Sequence, residues 1–396
     1  MNFTNKKEVK TIDEVTEKII DYRGKSPKKT LSGVRLITAK SVKNGRIEND
    51  YFEYIAEENY DAWMTRGLPK KDDILFTTEA PLGEVAQLTT DQRIALAQRI
   101  VILRGKPNQI DQKYYLYALQ SRFVQNQLQN QATGGTAKGI SQKRLRKINL
   151  ITFSLKEQEK IAEILSSCDR AIELTEKLIA SKRKLKRGLM QKLLTGKLRF
   201  PKFKGQKWDT KKIGDIANVK MGHSPPSSSY NKTKEGIPLV QGMSNVKNGL
   251  ANPKAWTKVI TQLANPESIL LSVRAPVGAI TKTNIEVCVG RGFAILEAKP
   301  NQISKDFLFY LLEFNKKKWK KFSQGSTFES ITSSEVKKFS IILPNEIREQ
   351  EAITQVISLI DQEIEKLGLQ KHNFQQTKKG LMQQLLTGKT RVPLNQ

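Results

Sequence analysis

Two long stretches of the chain place apolar residues at alternating steps of four and three. The first stripe runs through Ile161, Leu165, Cys168, Ile172, Thr175, Ile179, Lys182, Lys186, Leu189 and Leu193. The second runs through Ile353, Ile357, Ile360, Ile364, Leu367, Lys371, Phe374, Lys378, Leu381 and Leu385. That spacing is the heptad seam of a coiled-coil interface, so each stretch predicts a helix of about 40 residues, ~60 Å long at ~1.5 Å per residue. A helix of that length overreaches a domain of roughly 150 residues, and the simplest reading packs the two helices on each other as a spacer between domains. Gly196 and Gly388 stand where C-terminal caps belong, with Pro201 and Pro393 just beyond. The lysines near the C-terminal end of each seam either loosen the pairing there or face an acidic partner.

Elsewhere the apolar runs are short. Asp73–Phe76, Ile100–Leu103, Ser268–Leu271 and Phe293–Leu296 are bounded by glycine and proline and read as strands, while Tyr114–Gln129 and Phe307–Phe322 have helical periodicity. The pattern is α+β around an irregular, largely antiparallel sheet.

The helical stretches are copies of each other. GLMQKLLTGKLR at 188–199 returns as GLMQQLLTGKTR at 380–391, an offset of 192 residues that holds back to Glu157-Gln158-Glu159 and Glu349-Gln350-Glu351. Roughly 40% identity over some 44 residues exceeds what a shared helical pattern produces. The preceding segments repeat more weakly. Val42-Lys43-Asn44-Gly45 parallels Val246-Lys247-Asn248-Gly249, Glu79-Ala80-Pro81-Leu82-Gly83 parallels Arg274-Ala275-Pro276-Val277-Gly278, and Lys106–Ile110 parallels Lys299–Ile303. The order is globular unit, helix, globular unit, helix, with boundaries at 1–155, 156–200, 201–347 and 348–396.

Charge narrows the function classes. Sixty-eight Lys and Arg stand against 39 Asp and Glu, a formal +29 over 396 residues, which favours a polyanionic partner, nucleic acid first. With 38% hydrophobic residues the chain can build cores and is no disordered basic tail. It has no apolar run near the ~18 residues of a spanning helix, and Met1–Glu8 lacks a signal-peptide core, so no membrane and a cytoplasmic location are expected. Two cysteines, Cys168 and Cys288, and two histidines, His223 and His372, cannot assemble a zinc site or a disulfide framework, so no metal is expected.

Catalytic motifs fail on inspection. Gly24-Lys25-Ser26 and Gly388-Lys389-Thr390 resemble the end of a phosphate-binding loop, but Ile19 and Gln383 occupy the place of its first glycine. Ser224-Pro225-Pro226-Ser227 lacks the aromatic residue of an amino-methyltransferase motif and reads as a proline-stiffened polar loop. No glycine-rich cofactor loop precedes it, so no cofactor is expected. The chain is instead rich in what DNA recognition needs: Lys and Arg for phosphates, and Arg, Asn and Gln for purine edges. The candidates in the first unit are Lys25, Lys28, Lys29, Arg35, Lys40, Lys43 and Arg46. Those in the second are Ser228, Tyr230, Asn231, Lys232, Lys234, Gln241, Asn245 and Lys247, with Arg274 and Arg291 in tight glycine-containing turns.

Over essentially its whole length the sequence resembles the specificity subunits of type I restriction–modification enzymes. The likeness rests on the duplicated helices, each opened by Glu-Gln-Glu, and on segments typical of the family's target-recognition domains. These are Leu271–Gly278 with Gly290-Arg291-Gly292 in the second unit, and Thr77–Gly83, Gln98-Arg99 and Thr136–Ser141 in the first. The resemblance implies an α+β fold with two globular target-recognition domains separated by two long, antiparallel coiled-coil-like helices in an internal pseudo-two-fold repeat. It adds Arg99 and Lys138 to the DNA-contact candidates. Arg274 is carried over as a contact, but Glu79, which stands in its place in the first domain, cannot make the same phosphate contact and is not.

The resemblance further implies a non-catalytic reader of double-stranded DNA, each domain recognising half of a bipartite, asymmetric site. Two modification (methyltransferase) subunits would pack on the helices, use S-adenosylmethionine and methylate adenine, and the arrangement admits a restriction subunit with nuclease and motor. Competing readings are a free-standing bivalent DNA-binding protein, a scaffold whose positive charge meets acidic proteins, and a lone DNA-modifying enzyme. Tight specific binding by the chain alone would mark the first, and weak salt-insensitive DNA affinity the second. The missing cofactor loop argues against the third.

Overall fold

The computed structural model describes residues 7–22, 26–49, 52–135, 137–322 and 330–393, without the side chains of 320–322. The chain divides into two compact units, 1–176 with 369–396 and 177–368, so each long helix contributes to both. These helices are Leu155–Leu193, the central helix, and Ile347–Leu385, the distal helix, each of 39 residues. Both end in a glycine with left-handed backbone, Gly196 at φ 70° and Gly388 at φ 69°, whose N–H groups bond back to the carbonyls of Leu193 and Leu385.

Unit 1 is built on two four-stranded sheets. One orders Thr16–Asp21, Ile100–Gly105, Ile74–Thr78 and Leu82–Gln87, all antiparallel. The other orders Ile94–Leu96, Val34–Ile37, Glu53–Ile55 and Lys29–Thr30, its first pair parallel. Ile74–Thr78 is buried at every position, which explains why Ile74, Leu75 and Phe76 follow one another without a polar residue between them. The helical stretch after Asp111 is two helices, Gln112–Gln120 and Arg122–Gln131. Ser121 separates them because its extended backbone and its hydroxyl, which accepts from Val124 N–H, cap the second.

Unit 2 repeats this order in a larger form. Ala217–Met221, Phe293–Ala298, Ile269–Ser272 and Ile280–Lys282 match the first sheet, extended by Leu250–Ala251 and Val246–Lys247. Val287–Val289, Ile237–Val240, Ala255–Thr257 and Tyr230–Asn231 match the second, extended by Leu263–Ala264. Lys305–Phe314 and Lys316–Phe322 are the helices, broken at Asn315.

Each unit is closed by a helix end that arrives from elsewhere in the sequence. Leu385, Leu386 and Val392 enter the core of unit 1 beside Ile161 and Leu165, and Met190, Leu193 and Leu194 enter that of unit 2 beside Ile353 and Ile357. Burying side chains of this size contributes about 1.5–3 kcal/mol each. Along the seams Ile179 and Ile360 are also buried, while Ile172, Leu189, Ile364, Leu367, Phe374 and Leu381 are half-buried.

Within each unit the paired helix segments run antiparallel and are locked by matching polar clamps. In unit 1 Arg391 forks onto Glu157, and Lys378 meets Asp169 at 2.6 Å. In unit 2 Arg199 forks onto Glu349 at 2.8 and 2.7 Å, and Lys186 meets Asp361 at 2.6 Å. Seam lysines thus face carboxylates on the opposing helix, with Lys182–Glu363 and Lys371–Glu176 completing the set. The glutamine of each Glu-Gln-Glu motif is buried. Gln158 accepts from Asp111 N–H and donates to the Gln109 and Phe153 carbonyls; Gln350 accepts from Ser304 N–H and donates to the Pro344 carbonyl. Tyr117 and Tyr310 donate to Asp169 and Asp361, and burial, reinforced by those carboxylates, pushes both phenols up so that they stay donors. Among the described residues no helix is long and apolar enough to cross a membrane.

Candidate nucleic-acid interface

In unit 2 the basic turns meet. The strand Ile269–Ser272 runs into a tight turn in which Gly278 N–H bonds to the Ser272 carbonyl, with Gly278 at φ 82°. The Ser272 hydroxyl donates to the Arg274 carbonyl and fixes where that side chain leaves the turn. Opposite, Val273 N–H bonds to the Gly292 carbonyl, and Ser224 Oγ accepts from Arg291 N–H at 3.1 Å. Gly292 is required here, since a Cβ would lie 2.0 Å from the Gln241 carbonyl oxygen.

The two arginines are exposed and, with Ser224, Gln241 and Ser272, line a cleft of about 360 Å³. Gln241 donates to the Tyr230 hydroxyl, which donates to the Pro225 carbonyl, and Asn245 accepts from Gln241 N–H. A cleft walled by two guanidiniums and an oriented amide suits phosphates or purine edges. Lys232, Lys234 and Lys247 are exposed; Ser228 is too, on a short 3₁₀ turn. Asn231 is occupied internally, donating to the carbonyls of Glu235 and Trp256.

Unit 1 sets the same turns but different charges. Thr78 N–H bonds to the Arg99 carbonyl, and Ile140 N–H bonds to the Thr78 carbonyl. Arg99 here faces Glu79 at 3.8 Å. Lys138 is exposed on a turn closed by paired backbone bonds between Thr133 and Gly139.

The other candidates scatter. Lys28, Lys40 and Lys43 are exposed, Lys29 pairs with Glu53 at 2.9 Å, and Lys25 lies outside the described residues. Arg35 is half-buried, bonded to Asn49 and the Glu48 carbonyl and lying 4.8 Å over the Phe52 ring. Arg46 pairs with Glu176 of the central helix at 3.2 Å. A larger cleft of about 730 Å³ lies beside Arg46 and Lys378, but Glu176 and Asp169 in its wall already pair with them, so it offers no free anion site. Sequence reasoning passed over Ser224 as loop, and its role follows only from the contact with Arg291. It also uses Glu157 and Glu349 only as markers, although Arg199 and Arg391 recur at the same 192-residue offset as these glutamates.

The model of the type I restriction modification DNA specificity domain matches twice, over residues 5–181 and 205–372. The chain belongs to this specificity-subunit family. Its members are the non-catalytic DNA-recognition subunits of type I systems, and the two matches give this subunit two recognition domains. A putative MjaX specificity subunit of Methanocaldococcus jannaschii is 33% identical over 341 residues, covering 81% of this chain and 79% of that one. The MjaVIII specificity subunit of the same organism is 27% identical over 347 residues, covering 81% and 80%. The fold matches the solved S subunit from M. genitalium with a TM-score of 0.63 at 19% identity, over 100% of this chain and 98% of that one. A chain from a solved type I restriction–modification assembly gives 0.58 at 19% identity, over 96% and 97%. The free-standing bivalent binder is the disfavoured reading.

Proposed function

We propose that each recognition domain of this specificity subunit reads one half of a split, asymmetric DNA site from the cytoplasm, and that the long helices set the unread spacer. The observation that carries this is the repeat itself. Strand order and helix clamps are the same in both units, while the charged turns differ, as expected of one mounting that holds two different readers. A helix of 39 residues rises about 58 Å at ~1.5 Å per residue, ample for half-sites centred one DNA turn, ~34 Å, apart. Two modification subunits dock on the helices and transfer methyl groups to adenine; this chain supplies the address. Arg274 and Arg291 in the second domain, with Lys28, Lys43, Lys138 and Arg99 in the first, form the contact set.

The test is a genome-wide map of adenine methylation in cells expressing the chain with the modification subunit of its own system. A split, asymmetric motif that appears only when both chains are present is the expected result. A complex that forms and binds DNA but leaves no such motif defeats the proposal.

A further inference from the structure

The turn shared by the two domains carries Arg274 in one and Glu79 in the other, and a carboxylate on a DNA-reading surface needs an explanation. It repels phosphate, so it is tolerated where it accepts a hydrogen bond from a base or holds an arginine that donates to one. Glu79 has such an arginine beside it. Its side chain is 40% exposed and that of Arg99 is 46% exposed, at 3.8 Å, a loose pair that DNA can recruit without opening a buried contact.

The backbone beneath them is fixed. Thr78 N–H at 2.9 Å and its hydroxyl at 3.3 Å both donate to the Arg99 carbonyl, and Glu79 forms a β-bridge to Gly139. That bridge brings the turn bearing exposed Lys138 alongside, a cation able to seat the neighbouring phosphate.

We propose that Glu79 and Arg99 are a specificity-determining pair of the first recognition domain and together read one G·C base pair in the major groove. Arg99 donates its fork to guanine O6 and N7, and Glu79 accepts from the cytosine N4 amino group while holding the guanidinium in place. An A·T pair offers no site for the full fork. Among the described residues that line the matching cleft, the second domain has two guanidiniums and no carboxylate, so it reads by a different rule. The inference rests on the two-reader function proposed above.

The experiment maps the methylated motif for the wild-type complex and for Glu79→Gln and Arg99→Gln. The wild-type motif should contain a G·C pair in one half-site. Discrimination at that position should fall about tenfold or more in each variant, as loss of a base contact predicts. The other positions and the second half-site should keep their sequence. Arg99→Gln carries the test if Glu79→Gln fails to assemble. A split wild-type motif that both variants reproduce unchanged overturns the pair while leaving the two-reader function standing. So does relaxation at an A·T position, or blurring spread evenly over the half-site. No split motif from the wild type defeats the two-reader function and this inference with it.

Discussion

The two units agree where they are buried and disagree where they are wet. Strand order, the Glu–Arg forks, the Asp–Lys pairs and the tyrosines that bond to them recur across the repeat. On the surface, Glu79 and Arg99 oppose each other in charge where Arg274 and Arg291 do not, and the second unit holds the larger share of the chain's positive excess. The difference teaches that geometry and readout are separable in this fold. Buried polar clamps leave little room for substitution, because an unpaired carboxylate in the interior is costly, whereas exposed turns can exchange a carboxylate for a guanidinium without disturbing the backbone.

The clamps give the largest expected effect and a way to break the comparison. Glu157 and Glu349 side chains are each 1% exposed, but Arg391 is 34% exposed and Arg199 only 18%. Arg391→Met and Arg199→Met each leave a buried carboxylate without its cation, a loss on the order of 3 kcal/mol. Water reaches Glu157 more easily once its arginine is gone, so Arg199→Met should cost more. Denaturant-unfolding midpoints measure both. Equal losses, or a larger one for Arg391→Met, would show that the two clamps are not graded by burial.

Next in size is the glycine of the shared turn. Gly83 at φ 86° and Gly278 at φ 82° hold the same left-handed conformation, so alanine costs each roughly 1 kcal/mol in backbone strain. The surroundings differ. A Cβ at 278 would lie 2.5 Å from Trp319 Cβ, and that indole is fully buried and stacked on Phe339 at 3.7 Å. A Cβ at 83 would meet the amide end of Gln125 at 2.8 Å, the tip of a flexible side chain that can yield at the expense of its bonds to the Gly83 and Leu119 carbonyls. Gly278→Ala should therefore lose about 1–3 kcal/mol more than Gly83→Ala in thermal unfolding. Matching losses would mean that the second core yields as readily as the first.

Much of this was legible in the chain before any coordinates. The offset of 192 residues, the heptad seams, the capping glycines and the apolar strands Ile74–Phe76 and Phe293–Leu296 all follow from residue type and spacing. What spacing does not encode is the identity of the partner. The seam shows which face of the distal helix is buried, but not that Leu385 and Leu386 close the first unit. It left the seam lysines with two readings, and only the antiparallel register within each unit brings Lys378 to Asp169 and Lys186 to Asp361. On the candidate interface, charge alone ranks Arg35 with Lys43. Contact separates them, because Arg35 lies over Phe52 and bonds to Asn49. By its sign Glu79 is no phosphate contact, and spacing does not show that a turn brings Arg99 across from it.

The smallest effect sharpens the comparison at a helix start. Ser333–Lys338 opens with a reciprocal cap, in which Thr332 accepts from Glu335 N–H and Glu335 accepts from the Thr332 N–H and hydroxyl, each at 2.7 Å. The matching helix of the first unit, Gln142–Leu145, has Ser141 as its cap and Arg144 where the glutamate would be. The backbone bond from Thr332, then its hydroxyl, lowers the Glu335 carboxyl below its ordinary range. A carboxyl depressed on folding stabilises above its unfolded pKa, and that contribution is lost as pH falls through the folded value. Acid should therefore loosen the second unit's cap while the first, with no carboxylate in that role, is unaffected. Carbon-detected titration of Glu335 should give a midpoint below that of an exposed glutamate, moving only part of the way back in Thr332→Val, which removes the hydroxyl donor and keeps the backbone one. A Glu335 midpoint already in the ordinary range would remove the acid sensitivity and make the two caps equivalent, since the bond from the backbone amide to the cap hydroxyl is alone common to both.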